Sequence, residues 1–137
     1  APTEAEMIEK KHRIEDALEA VKAAQMDGIV AGGGVALLRA LPKKNNDPLE
    51  GIIYEAVKEP IRQMARNAGE SPDLILDRVL RAKGNKGYNF ATGEMCDLFE
   101  AGVIDPVRVT KTALQMATSA AGTLLTTGYA IIEEGEQ

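Results

Sequence analysis

A mainly helical chain with a small amount of β structure is what the sequence predicts, and three observations carry that reading. Helix-starting grammar recurs along the chain: Thr3 with Glu6 at capping-box spacing, then Asp47-Pro48, Ser71-Pro72 and Asp105-Pro106. Behind the first two starts, apolar residues return at steps of three, four and seven, the period of a helix face. Extended character is confined to residues 84–90 and 124–132.

Taken in order, the first helix covers residues 4–27. Met7, Ile14, Leu18 and Val21 form one narrow stripe among charged side chains, the pattern of a helix that rests on a neighbour along one line and meets solvent elsewhere. Gly28 is its left-handed cap. Ala31-Gly32-Gly33-Gly34 follows, where the lack of side chains lets the chain bend or touch a ligand. A short helix over 35–41 ends at Pro42, and Lys43-Lys44-Asn45-Asn46 is a surface loop. After Asp47-Pro48, the residues Leu49, Ile52, Ile53, Ala56 and Val57 carry a helix to Pro60. A second proline-started helix turns Ile61, Met64, Ala65 and Ala68 inward and ends at Gly69. Ser71-Pro72 and Asp105-Pro106 open helices at about 72–82 and 106–122. Between these lies Gly84-Asn85-Lys86-Gly87-Tyr88-Asn89-Phe90, a turn running into an extended piece, followed by a small helix near 94–101. After Gly122, residues 124–132 read as a strand with no partner of similar length, so its pairing is expected outside these residues.

Composition narrows the function classes. The 137 residues are one domain's length, and 16 Lys+Arg against 21 Asp+Glu give a net charge of −5, no footprint for nucleic acid or an anionic membrane. No apolar run approaches the roughly 18 residues of a membrane span. Cys96 is the single cysteine and His12 the single histidine, which excludes an internal disulfide and a cysteine-histidine zinc site and suits a reducing compartment. The first residue is alanine rather than methionine, as in a processed or excised piece.

Local chemistry offers few candidates. The phosphate-loop pattern is absent, and Gly32-Gly33-Gly34 fails the dinucleotide pattern because Leu37 occupies its last glycine position, so by pattern the run is a tight turn before it is a nucleotide contact. Ser71 and Ser119, the only serines, give no support to a serine triad. Cys96, beside Met95 and Leu98, reads as an inert buried thiol on a helix. Asp16 lies two residues from both Ile14 and Leu18, about 160° around the helix from the stripe and so away from the core. Spacing alone makes it an exposed ion-pair partner of His12 or Arg13, while a carboxylate brought within reach of a nucleotide can activate water for phosphoryl transfer.

Several of these segments together resemble one family. Glu4-Ala5-Glu6-Met7, Glu9-Lys10-Lys11 and Arg13-Ile14-Glu15-Asp16-Ala17-Leu18 are similar to the helix that links the intermediate and equatorial domains of group I chaperonins, the GroEL type. Gly28-Ile29-Val30-Ala31-Gly32-Gly33-Gly34-Val35-Ala36-Leu37, Gly87-Tyr88-Asn89, Gly102-Val103-Ile104-Asp105-Pro106, Ala113-Leu114-Gln115 and Leu125-Thr126-Thr127 follow in the family's order. The resemblance runs from about Thr3 to Ile132.

It implies an equatorial-domain-like helical bundle with a short β hairpin or strand, residues 29–137 being the C-terminal half of the ATP-binding equatorial domain. Residues 1–28 are then the C-terminal part of the intermediate domain. By resemblance, Asp16 matches the family's catalytic aspartate, Gly32 and Gly33 the glycines against the ribose and base, and Asn89, Phe90 and Ala91 the adenine pocket. Val103 matches its apolar wall and Asp105 the carboxylate on the ribose, a residue equally suited to capping the helix at Pro106. The implied ligands are ATP, Mg2+ bound by residues outside this chain, and K+. The implied partners are the other subunits of a homo-oligomeric ring, with a co-chaperonin and unfolded proteins bound through domains absent here, in a bacterial cytoplasm or an organelle matrix. Two departures stand out: Phe90 replaces a usually small residue, where it would narrow the pocket or stack on the base, and the 43–47 loop is short, which suits a divergent paralogue. The rival readings are a nucleotide-independent helical interaction module, including a paralogue without ATPase activity, and a helical domain binding another small molecule at the glycine turn.

Overall fold

A computed structural model describes residues 3–41 and 48–128 of the chain. Its elements are α1 (Glu4–Asp27), β1 (Ile29–Ala31), α2 (Val35–Ala40), α3 (Pro48–Ala56), α4 (Glu59–Asn67), α5 (Pro72–Arg81), β2 (Lys86–Asn89), β3 (Glu94–Asp97), β4 (Ile104–Pro106) and α6 (Val107–Thr126). Helices dominate, as the capping grammar predicts. At the start of α1 the Glu6 amide donates to Thr3 Oγ1 (3.3 Å) and the Thr3 amide to Glu6 Oε2 (2.7 Å), closing the capping box in both directions. The helix ends at Gly28, whose φ of 83° and ψ of −171° lie in a region only glycine occupies readily, not in the left-handed helical well the sequence suggested.

The strands form two antiparallel pairs. β1 pairs with β4, setting Ile29 opposite Pro106, Val30 opposite Asp105 and Ala31 opposite Ile104. β2 and β3 form a hairpin in which Gly87 faces Cys96 and Tyr88 faces Met95. The core lies where α2, α4 and α5 meet this hairpin: Val35, Leu38, Ile61, Ala65, Ile75, Leu76, Val79, Tyr88 and Leu98 are buried there. Arg62, bridging Glu59 (3.0 Å) and Asp73 (3.3 Å), laces α4 to the start of α5.

Several expectations are corrected. The helix foreseen near 94–101 is strand β3 followed by a turn in which the Phe99 and Glu100 amides both donate to Asp97 Oδ1 (3.0 and 3.2 Å). Pairing with β2 overrides the helical look of that segment, and Cys96 sits half-buried on a strand against the core. Asp105 caps nothing: it lies inside β4, Pro106 is the N-cap residue of α6, and no side chain caps that end. Gly122 does not stop α6, so Leu124, Leu125 and Thr126 are helical, with the Thr126 and Thr127 hydroxyls bonded back to Gly122 O (2.9 Å) and Thr123 O (2.7 Å). Residues 129–132 of the expected strand, like the 43–47 loop, lie outside the described residues. Ala68 is exposed at the α4 C-cap instead of facing inward, while Ser71 caps α5 by position without a side-chain bond.

Gly87 is a point of tight packing, since a Cβ there would stand 2.6 Å from Leu98 Cδ1 and 2.7 Å from Val35 Cγ2. Gly87→Ala is expected to destabilise the fold by about 1–3 kcal/mol through overpacking. Gly122→Ala, inside α6 with nothing within 4 Å of the added methyl, is expected to stabilise by about 0.5–1 kcal/mol. Thermal or urea melts of the two variants against the parent chain measure both.

Candidate functional site

The triple glycine forms the turn from β1 into α2, and each of its outer contacts explains one missing side chain. The Gly32 amide donates to Val103 O at 2.9 Å, and a Cβ on Gly32 would sit 3.1 Å from that oxygen. The strand pair can close this tightly only over a bare Cα. Gly33 has φ 61°, strained for any other residue, and a Cβ there would lie 3.4 Å from Tyr88 O. Met64 and Ile61 press on Gly34 from α4, with Met64 Cε 2.8 Å from where a Cβ would be. The turn is therefore held between Val103 on one side and the β2 backbone on the other.

β2 presents the next group. Tyr88 is 3% exposed; its hydroxyl donates to Glu70 Oε1 at 3.2 Å, and burial first, then that carboxylate, push its pKa up. Asn89 turns its side chain back on the hairpin: Oδ1 accepts from the Ala91 amide (3.0 Å), while its carbonyl accepts from Gly93 (2.8 Å). The Phe90 ring stands edge-on to Tyr88, centroids 5.0 Å apart at 74°, and leans on the core. Its bulk is thus engaged by the protein's own aromatic ring. Ala91 is exposed at the turn.

Asp105 is exposed in β4 and, with Ala20, Val21, Ala24 and Pro106, lines a shallow cavity of about 180 Å3 where α1 comes down on the strand pair. This contact revises the expected orientation of α1. The stripe of Met7, Ile14, Leu18 and Val21 is more than half exposed, with Val21 at the edge of that cavity, and the half-buried residues of the helix are Ala20, Ala23 and Ala24, to one side of the stripe. Asp16, Ala20, Ala23 and Asp27 follow one another at steps of four, three and four, so they share a face. Asp16 thus lies on the face turned to the body of the molecule, one turn or about 6 Å along the axis beyond Ala20. Small alanines permit the close approach, and a salt bridge fixes it: Arg108 Nε donates to Asp27 Oδ2 (2.7 Å) and Nη2 to Oδ1 (3.5 Å).

Asp16 itself makes no ion pair among the described residues, because Arg13 pairs with Glu9 and Lys11 with Glu15 (3.7 Å). The exposed pair expected from spacing is not formed. Gly32 and Val103 are in direct contact, Gly33 next to them abuts the Tyr88 carbonyl that precedes Asn89, and Asp105 lies two residues beyond Val103. Sequence reasoning missed Asp27, Arg108 and the β1–β4 pair, whose partners lie about eighty residues apart and leave no local signal.

The fold is that of a chaperonin domain. The chain belongs to the TCP-1/cpn60 chaperonin family, whose sequence model matches residues 1–135. A solved structure described as the open-state monomer of a group II chaperonin from Methanococcoides burtonii is similar to it with a TM-score of 0.72 and 28% identity, over 93% of this chain. The present chain spans 35% of that one. No helix among the described residues is long and apolar enough to cross a membrane.

The Asp27–Arg108 pair makes a pH prediction. The hydrogen bond from Arg108, aided by the charges of Arg108 and Lys111, holds the Asp27 carboxyl below the usual carboxylate range. Unfolded, that carboxyl takes its proton at about pH 3.9. The pair's contribution is therefore complete above that value and disappears as pH falls through the lower, folded pKa. Asp27→Asn is expected to speed amide exchange at the α1–β1 junction at pH 6, with the difference from the parent chain vanishing in acid.

Proposed function

We propose that this chain is the C-terminal part of the intermediate domain (1–28) and the C-terminal half of the equatorial domain (29–137) of an ATP-hydrolysing, protein-folding chaperonin subunit of the group I type. The observation that supports the reading is the setting of α1, whose Ala20, Val21 and Ala24 share a cavity with Asp105 beside the β1–β4 pair, the unpaired Asp16 standing one turn before Ala20. Gly33 offers bare backbone, Val103 an apolar wall and Asp105 a free carboxylate, a set that suits the base and ribose of ATP. Asn89, Phe90 and Ala91 would border the base, and Gly32 would support the turn from behind.

ATP supplies the phosphoanhydride bond. Asp16 would orient the attacking water and accept its proton on a carboxylate oxygen, while Asp105 would accept from ribose hydroxyls. Mg2+ would be held by residues outside this chain, with K+ as a further ion, and among the described residues there is no group of three His, Cys, Asp or Glu side chains that could hold a metal. The ring, the co-chaperonin, the unfolded substrates and a bacterial cytoplasm or organelle matrix complete the proposal. A paralogue without ATPase activity is the second reading, favoured by Phe90, whose ring fills space beside Tyr88 where the family usually has a small residue.

Asp16→Ala in the full-length subunit is expected to lower ATP turnover by roughly two orders of magnitude with nucleotide binding retained, as for a group acting in the transition state. Steady-state hydrolysis and equilibrium titration measure the two; unchanged turnover with weaker binding would reject the assignment.

A further inference from the structure

Arg39 makes an unusual set of bonds. It stands on α2, and its half-buried guanidinium donates only to main-chain carbonyls: Nη2 to Val79 O (2.9 Å) and Lys86 O (3.1 Å), Nε to Gly84 O (3.1 Å). Among the described residues no carboxylate pairs with it. Its burial, which pushes the guanidinium pKa down, is thus offset by carbonyl dipoles alone. The three acceptors belong to three consecutive pieces of chain. Val79 O is one of the last-turn carbonyls of α5 that has no partner within the helix, Gly84 O lies in the connecting turn, and Lys86 O opens β2. A planar guanidinium with diverging N–H groups can reach all three at once; an ammonium on a flexible stem has no such fork.

Arg39 shares its helix face with Val35, four residues earlier, whose Cγ2 packs on Gly87. α2 therefore grips β2 at two points one turn apart. The chain leaves this grip in two directions that matter: backward from Val35 into Gly32–Gly33, and forward from Gly87 through Tyr88 into Asn89, Phe90 and Ala91. We propose that Arg39 is a positioning residue of the nucleotide pocket, its three-carbonyl clasp setting the spacing between the glycine turn and the adenine-side turn without touching the nucleotide. This inference rests on the ATP-site reading above.

The test uses the full-length subunit and measures affinity for ATP, GTP and inorganic tripolyphosphate in the parent, Arg39→Met and Arg39→Lys. Losing the clasp is expected to weaken ATP about tenfold, the loss of one or two charge-assisted hydrogen bonds' worth of positioning, and to narrow the ATP/GTP preference. Tripolyphosphate affinity stays unchanged, and Arg39→Lys falls between the parent and Arg39→Met. Arg39→Lys alone carries the comparison where Arg39→Met does not fold. An unchanged ATP/GTP preference overturns the assignment and leaves the ATP site standing, as does an equal loss for all three ligands that tracks the folded fraction. A parent subunit that binds no adenine nucleotide overturns the site reading itself, and this inference with it.

Discussion

The approach of α2 to the β2–β3 hairpin over the bare Cα of Gly87 is the constraint on which the rest of the molecule depends. Val35 and Leu98, both fully buried, meet above that glycine, and the space a methyl group would need there is already filled. Because packed interiors have no slack of that size, the contact fixes the separation of two backbones to a few tenths of an ångström. Ile61, Ile75 and Val79 build on the same junction from α4 and α5, so the helical layer and the hairpin share one core. The glycine turn and the 89–91 turn are the two chain segments that leave it.

A second body is assembled by different means. α1 and α6, of 24 and 20 residues, bury no residue between them, and they meet through the β1–β4 pair, the alanines of α1 and the Asp27–Arg108 bridge. Their stability within this chain is borrowed from short strands and an exposed ion pair, each a small contribution. Large apolar side chains remain uncovered on both: Met7, Ile14, Leu18 and Val21 on α1, Leu114, Met116, Leu124 and Leu125 on α6. An apolar groove of about 470 Å3 also runs between α3 and α6, lined by Ile52, Ile53, Leu114 and Ala117 among others.

What the sequence made legible was what short-range physics decides. The α1 boundaries followed from Thr3, Glu6 and Gly28, and α3 and α5 from Pro48 and Pro72, because caps and prolines act within a turn of their own position. Strand β3 was not legible, since Met95, Cys96 and Leu98 look helical by spacing, and Met95 and Cys96 enter a strand only because β2 lies alongside. The face of α1 was misread for a related reason. An apolar stripe signals burial only where a partner stands against it, and here the alanines and Asp27 to one side of it carry the contact. Of the proposed site, the family resemblance supplied candidates that spacing could not, while Arg39, Asp27 and Arg108 depend on partners 40 to 82 residues away.

The two parts differ in how much side-chain surface they bury, and that difference bears on the proposed chemistry. Gly33, Asn89 and Val103 are referred to a packed core through Val35, Gly87 and Leu98, so the pocket they would form is rigid. Asp16 is referred to the same core only through α1, a rod about 36 Å long whose last turns alone touch the body. Between rod and core stand Gly28, in a conformation only glycine holds easily, the short β1–β4 pair against the α1 alanines, and one solvent-exposed salt bridge. Tilting α1 about Gly28 therefore disturbs little buried surface, while a tilt of a few degrees moves Asp16, about 18 Å from Gly28, by an ångström or more. On the proposed reading, binding is a property of the rigid body and hydrolysis a property of the hinge, so the carboxylate's distance from the pocket can be set by whatever moves α1 without rebuilding the pocket itself.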